Sequence, residues 1–166
     1  MSRKYAFLID LSGTLHIEDA VIPGTLHALE NLRAIENSHI LFVTNTTKQS
    51  SRNLHERLNR LDLRIDRGEI FSSLSAARHF LDRYNLEPML IVEDDVLEDF
   101  LPFTRKVSSK DTKEKAVVVG LAPSKFNYEI MNKAFIALMD GAQLIAIHKF
   151  FDQKHVVLLP SPFKGR

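Results

Sequence analysis

The chain has 166 residues, enough for one ordinary domain or for a core fragment with a second small unit. A formal net charge of +1 excludes the strong single-sign field of a dedicated nucleic-acid or membrane-surface binder. The lack of cysteine excludes disulfides and thiolate zinc sites. The apolar run near Met1 is too short for a signal peptide and no stretch reaches transmembrane length, so the cytoplasm is the expected location.

Tyr5 to Ile9 is a nearly continuous apolar run that stops at Asp10, the pattern of a strand buried on both faces of a parallel sheet. A small-residue loop, Leu11-Ser12-Gly13-Thr14-Leu15, follows. Pro23-Gly24 precedes a helix carrying Leu26, Ala28, Leu29 and Leu32 on one face and ending near Asn37. Ile40 to Val43 is a second buried strand, ending at Thr44-Asn45-Thr46-Thr47. Ser50 suits the cap of a helix with Leu54, Leu58 and Leu61, and Ser72 or Ser73 the cap of another that runs to about Tyr84. Met89 to Val92 and Val117 to Gly120 read as further strands. A helix from about Asn127 to Met139 presents Ile130, Ala134, Phe135 and Leu138, with Gly141 at its C-terminal cap. Leu144 to Ile147 is the next strand. The polar stretch 108–115 reads as a solvated connection, and His155 to Leu159 as a possible strand before an aperiodic, Pro-flanked basic tail. This alternation of strands and helices predicts βαβ units and a doubly wound α/β sheet.

Ligands of open α/β sheets bind beyond the carboxyl ends of the strands. Asp10 ends the first strand, Thr44-Asn45 the second, and the spacing lets them be neighbours. A carboxylate so placed can attack a phosphoryl group and form an aspartyl phosphate. Gly13 and the loop amides can cradle phosphate oxygens, and Thr44 and Asn45 can donate further hydrogen bonds. Magnesium would offset the charge between carboxylate and phosphate.

The pattern Phe7-Leu-Ile-Asp10-Leu-Ser-Gly-Thr14, followed by Leu41-Phe-Val-Thr44-Asn45, resembles the first two motifs of the haloacid dehalogenase superfamily. Pro23-Gly24, Thr44-Asn-Thr-Thr47 and Glu69-Ile-Phe-Ser-Ser-Leu-Ser-Ala-Ala77 resemble its subfamily with an inserted α/β cap, and Val118-Val-Gly-Leu121, Phe126-Asn-Tyr128 and Asp140-Gly-Ala142 resemble that cap. The likeness runs over about residues 5 to 149. It implies an α/β fold: a partial doubly wound core over residues 1–76, a cap over 77–160 and a divergent tail over 161–166. It also implies magnesium-dependent hydrolysis of small phosphorylated substrates, phosphate esters or phosphoramidates, through an aspartyl phosphate. Asp10 would be nucleophile and metal ligand. Ser12 would give the metal its carbonyl oxygen and line the phosphate site with Gly13. Thr44 would hold the transferred phosphoryl group, with Asn45 beside it.

Two departures qualify this expectation. Ser12 stands where most phosphatases of the superfamily carry a second aspartate as general acid and base, and a serine is no acid near neutral pH. A preference for good leaving groups is therefore expected: phosphoramidates, pyrophosphate or aryl phosphates. The lysine and acidic pair that the superfamily takes from the second half of its core have no match after His148; Lys164 lacks the helix and strand that should follow it. The expectation is a C-terminally truncated chain, weak or inactive. The alternative is a non-enzymatic regulatory form that associates with itself or a partner through an exposed core edge.

Competing readings are blander. Leu90-Ile-Val-Glu93-Asp94-Asp95, with Asp140, imitates a phospho-receiver domain, but too little chain follows; a strand and a solvated helix start are expected instead. Arg52, Arg57, Arg60, Arg64 and Arg67 read as a solvated face rather than a nucleic-acid patch. The seven histidines show no ligand spacing, and none is expected to bind metal.

Overall fold

The computed structural model describes residues 4–47, 49–104 and 115–147. Residues 108–114 of the connection expected at 108–115, the strand at 155–159, Lys164 and the tail over 161–166 lie outside the described residues.

The apolar runs become strands where the sequence predicts them. β1 (Tyr5–Asp10) and β4 (Ser38–Thr44) pair in parallel, and β5 (Ile70–Ser72) joins the far side of β4, giving the order β1-β4-β5. Between β1 and β4 the chain forms a small antiparallel hairpin, β2 (His16–Ile17) with β3 (Ala20–Val21), and helix α1 (Thr25–Arg33). Gly24 precedes α1 at φ 88°, a left-handed conformation that glycine adopts without a Cβ clash. α2 (Ser51–Arg60) follows β4.

Register decides which side chains meet. Ile9 lies beside Phe42, and Phe42 beside Ile70, so all three project from one face of the sheet. There they pack with Leu29 of α1 and Leu54 and Leu58 of α2, and Phe42 and Leu58 are wholly buried. The alternate residues Leu8, Asp10, Val43 and Phe71 project from the other, more open face. β1 has β4 as its one strand neighbour among the described residues, and Leu8 is 71% exposed.

A second parallel sheet has the order β6-β7-β8, from β6 (Pro88–Ile91), β7 (Ala116–Val119) and β8 (Gln143–Ala146). α3 (Ser73–Tyr84) lays Leu74, Ala77 and Leu81 against one face of it, joined by Val96 and Phe100 from a 3₁₀ segment, Asp94–Phe100, and by Phe103 of the short α4 (Leu101–Thr104). α5 (Tyr128–Met139) covers the other face with Ile130, Ala134, Ala137 and Leu138. The division expected near residue 76 falls inside α3, whose apolar face belongs to the second sheet's core.

Two expectations need correction. Phe135 is not on the buried face of α5; it is 61% exposed. The acidic run after β6 is not simply a solvated helix start. Asp94 and Asp95 are exposed as expected, but Asp95 also binds the first turn of α2, and Asp99, one turn further on and only 3% exposed, does the same. The reason is tertiary: the first N–H groups of a helix lack intrahelical partners and attract carboxylates.

Candidate active site

The site lies at the carboxyl ends of β1 and β4. Asp10 is the last residue of β1 and Thr44 the last of β4, and the parallel register sets Asp10 beside Val43. A cavity of about 790 Å³ opens on the less covered sheet face. Asp10, Ser12, Thr44 and Asn45 line it, with an apolar floor from Leu8, Val43 and Phe71 and a polar rim from Ser72 and Ser73. Four of the five residues singled out in the sequence therefore share one cavity.

Gly13 is the fifth, and it does not line that cavity. Its φ of 84° needs glycine, and its N–H donates to the His16 carbonyl at 2.8 Å. The amides of Thr14 and Leu15 donate to the Leu11 carbonyl at 3.3 and 2.9 Å. These bonds fold the loop back onto the β2–β3 hairpin and commit the three amides, while the Ser12 and Thr44 hydroxyls and the Asn45 amide are among the donors that line the cavity. Thr44 is 6% exposed, and its hydroxyl accepts from the Thr46 N–H at 3.4 Å. The Ser73 hydroxyl donates to the Thr46 carbonyl at 3.3 Å, tying the start of α3 to the same loop.

Sequence reasoning missed a second, smaller cavity of about 360 Å³ that shares Ser12, Thr44 and Asn45 with the first. His16, Gln49 and Arg57 line it. The His16 ring is 1% exposed; because a carbonyl only accepts, its Nδ1 donates to the Glu18 carbonyl at 2.8 Å. Its Nε2 and the Arg57 Nε are buried without a protein partner. Such orphaned polar atoms call for an ordered water or ligand oxygen nearby.

The second unit reaches this region through α2. The Ser50 hydroxyl caps the helix, accepting from the Asn53 N–H at 3.2 Å. The Ser50 N–H donates to Asp95 at 3.0 Å and the Ser51 N–H to Asp99 at 2.8 Å. The Asn53 side-chain amide donates to Asp95 at 2.6 Å, and Arg52 pairs with Glu98 at 3.1 Å. The helix that follows the Thr44–Thr47 loop is thus held at its first turn by carboxylates from the second unit.

The donor set has consequences for a metal. Asp10 is the single carboxylate lining the cavity, and the described residues hold no group of three or more His, Cys, Asp or Glu able to bind an ion. One carboxylate and a backbone carbonyl suit magnesium, which keeps several waters and takes phosphate oxygens as ligands. They are too few to hold it alone.

Known proteins place the chain. A profile of haloacid dehalogenase-like hydrolases matches residues 7–102. Haloacid dehalogenase-like hydrolase domain-containing protein 2 from Homo sapiens is 50% identical over 161 residues, 95% of this chain and 60% of that protein. Human phospholysine phosphohistidine inorganic pyrophosphate phosphatase is 30% identical over 138 residues, 80% of this chain and 48% of its own length. Among solved structures, a 4-nitrophenylphosphatase from Thermotoga maritima superposes with a TM-score of 0.71 at 25% identity, covering 86% of this chain and 54% of that one. The chain spans about 60% of the length of the first of these relatives. With the two strand-end motifs in one cavity, the parallel sheets and these likenesses together, the chain belongs to the haloacid dehalogenase-like hydrolases.

Proposed function

We propose that this chain carries the nucleophile half of a magnesium-dependent phosphohydrolase site and is itself a weak or inactive catalyst. The observation that supports it most is the convergence of Asp10, Ser12, Thr44 and Asn45 on one cavity. An Asp10 carboxylate oxygen attacks phosphorus, the bond from phosphorus to the leaving oxygen or nitrogen breaks, and the leaving group departs with the electron pair. Water then cleaves the aspartyl phosphate, returning the carboxylate and inorganic phosphate. Thr44 and Asn45 donate to the phosphoryl oxygens. Magnesium, when bound, would be held by Asp10 and the Ser12 carbonyl and would offset negative charge.

Two features limit the rate. Ser12 supplies no proton to the leaving group, which favours aryl phosphates, phosphoramidates or pyrophosphate. Among the described residues no lysine or arginine lines the larger cavity, so charge building on the phosphoryl group lacks a fixed cation. Release of phosphate from 4-nitrophenyl phosphate with magnesium tests this, with Asp10→Asn as the control. Little or no turnover above that control is expected from folded chain. Robust turnover lost in Asp10→Asn would keep the nucleophile and overturn the weak-catalyst reading.

A second reading rests on the edge of β1, which has β4 as its one strand neighbour among the described residues and carries the 71% exposed Leu8. A strand with a free hydrogen-bonding edge and apolar side chains invites a partner. On this reading the chain acts by binding through its core edge, and Leu8→Lys would abolish that association.

A further inference from the structure

Among the arginines expected on a solvated face, Arg52, Arg60, Arg64 and Arg67 are exposed, but Arg57 is partly buried and lines the smaller cavity. Its Nε is buried without a protein partner, and no carboxylate pairs with its guanidinium among the described residues. Arginine stays charged at any working pH, so a guanidinium drawn partly out of water without a counter-ion favours an anion beside it. No Asp or Glu lines this cavity. Gln49 adds a neutral amide, and the His16 ring, 1% exposed, leaves its Nε2 unpartnered. The larger cavity has the opposite character: the Asp10 carboxylate lines it, and among the described residues no lysine or arginine does. Ser12, Thr44 and Asn45 line both. Nucleophile and cation therefore stand on the two sides of one shared polar wall.

We propose that the smaller cavity receives the leaving group, and that Arg57 selects phosphorylated compounds whose leaving group carries a second anionic group, a phosphate or a carboxylate. The inference rests on the phosphoryl site at Asp10 and names the substrate class for it. With the reacting phosphoryl group between Asp10 and Thr44, the shared lining lets the rest of a small substrate reach Arg57. The cavity, about 360 Å³, has room for a group of that size. When the bond from phosphorus to the leaving oxygen breaks, its electron pair stays on that oxygen, and the second anionic group stays with Arg57. Ser12 offers the leaving oxygen no acidic proton, so a fixed cation on the leaving-group side is what this chain has to offset the charge. The planar fork of a guanidinium matches two oxygens of a carboxylate or phosphate with charge-assisted hydrogen bonds, which a lysine in the same place would not reproduce in full.

Isothermal titration calorimetry of the chain, with magnesium in constant excess, tests this with non-hydrolysable probes. Methylphosphonate carries a single anionic group; methylenediphosphonate adds a second phosphonate and phosphonoacetate a carboxylate. The wild type is expected to bind at least one of the doubly anionic probes about tenfold or more tighter than methylphosphonate, and the one preferred identifies the second group. Arg57→Met should cut that preference below about threefold with methylphosphonate binding unchanged, and Arg57→Lys should restore part of it. Circular dichroism shows that each variant is folded. A wild type with no such preference would overturn the inference and leave a cavity that holds only water. A preference that survives Arg57→Met would overturn it as well. In either case methylphosphonate binding that weakens in Thr44→Val leaves the phosphoryl site standing. Failure of every probe to bind would overturn the phosphoryl site itself, and the inference with it.

Discussion

At the level of single residues, Ser12 sets the chemistry that the site can reach. It occupies the cavity beside Asp10 but holds no ionisable proton near neutral pH. Ser12→Asp would return a carboxyl group to that place. General acid catalysis is typically worth about 100-fold or more, and the gain should fall mainly on poor leaving groups. Comparing alkyl and aryl phosphate turnover in wild type and Ser12→Asp checks this. A rise confined to the alkyl substrate is expected; an equal rise for both would mean that leaving-group protonation is not what Ser12 withholds. The residues of this cavity were legible in the sequence because polar side chains directly after buried strands have few other places to go. His16 and Arg57 were not legible. Their cavity exists only once the β2–β3 hairpin folds against α2, and no spacing along the chain encodes that meeting.

The elements show where periodicity carries information and where it fails. Long runs such as β1 and β4 and capped helices such as α2 and α3 are readable from pattern alone. β5, with three residues, and the two-residue strands β2 and β3 are too short to show a period, and tertiary pairing alone makes them strands. Phe135 was set on the wrong face because α5 carries apolar residues on two faces, and pattern alone does not choose between them. The acidic residues after β6 gained their role from α2, a helix more than forty residues earlier in the chain. That role has a magnitude. Asp99→Ala should destabilise the fold by about 1–2 kcal/mol, since it strips the Ser51 N–H of a charged, buried partner. Asp94→Ala, at an exposed ion pair with Lys125, should cost no more than about 0.5 kcal/mol. Urea denaturation of both variants distinguishes them, and equal costs would refute the bridging role.

For the molecule as a whole, the sheets differ in how well they are covered. The second has helices on both faces. The first is packed on the Phe42 side and open on the Leu8 side. Stability should follow that asymmetry. Phe42→Ala is expected to cost about 3–5 kcal/mol, because it empties a wholly buried site. Leu8→Lys should change stability by no more than about 0.5 kcal/mol. Thermal melts of the two variants give the comparison, and a large loss from Leu8→Lys would mean that its face is covered in solution.

The open side of β1 also bears on handling the protein. Tyr5 to Ile9 is a run of apolar, strand-forming residues with no charge or proline, the composition of segments that stack into cross-β fibrils. Inside a sheet such a run is silent. Here its outer N–H and C=O groups have no strand partner among the described residues, and no bulge or inward-pointing lysine within the run blunts it. Lys4 before the run and Asp10 at its end stand as flanking gatekeeper charges, so neutralising either is expected to favour fibre growth when the chain is concentrated or refolded.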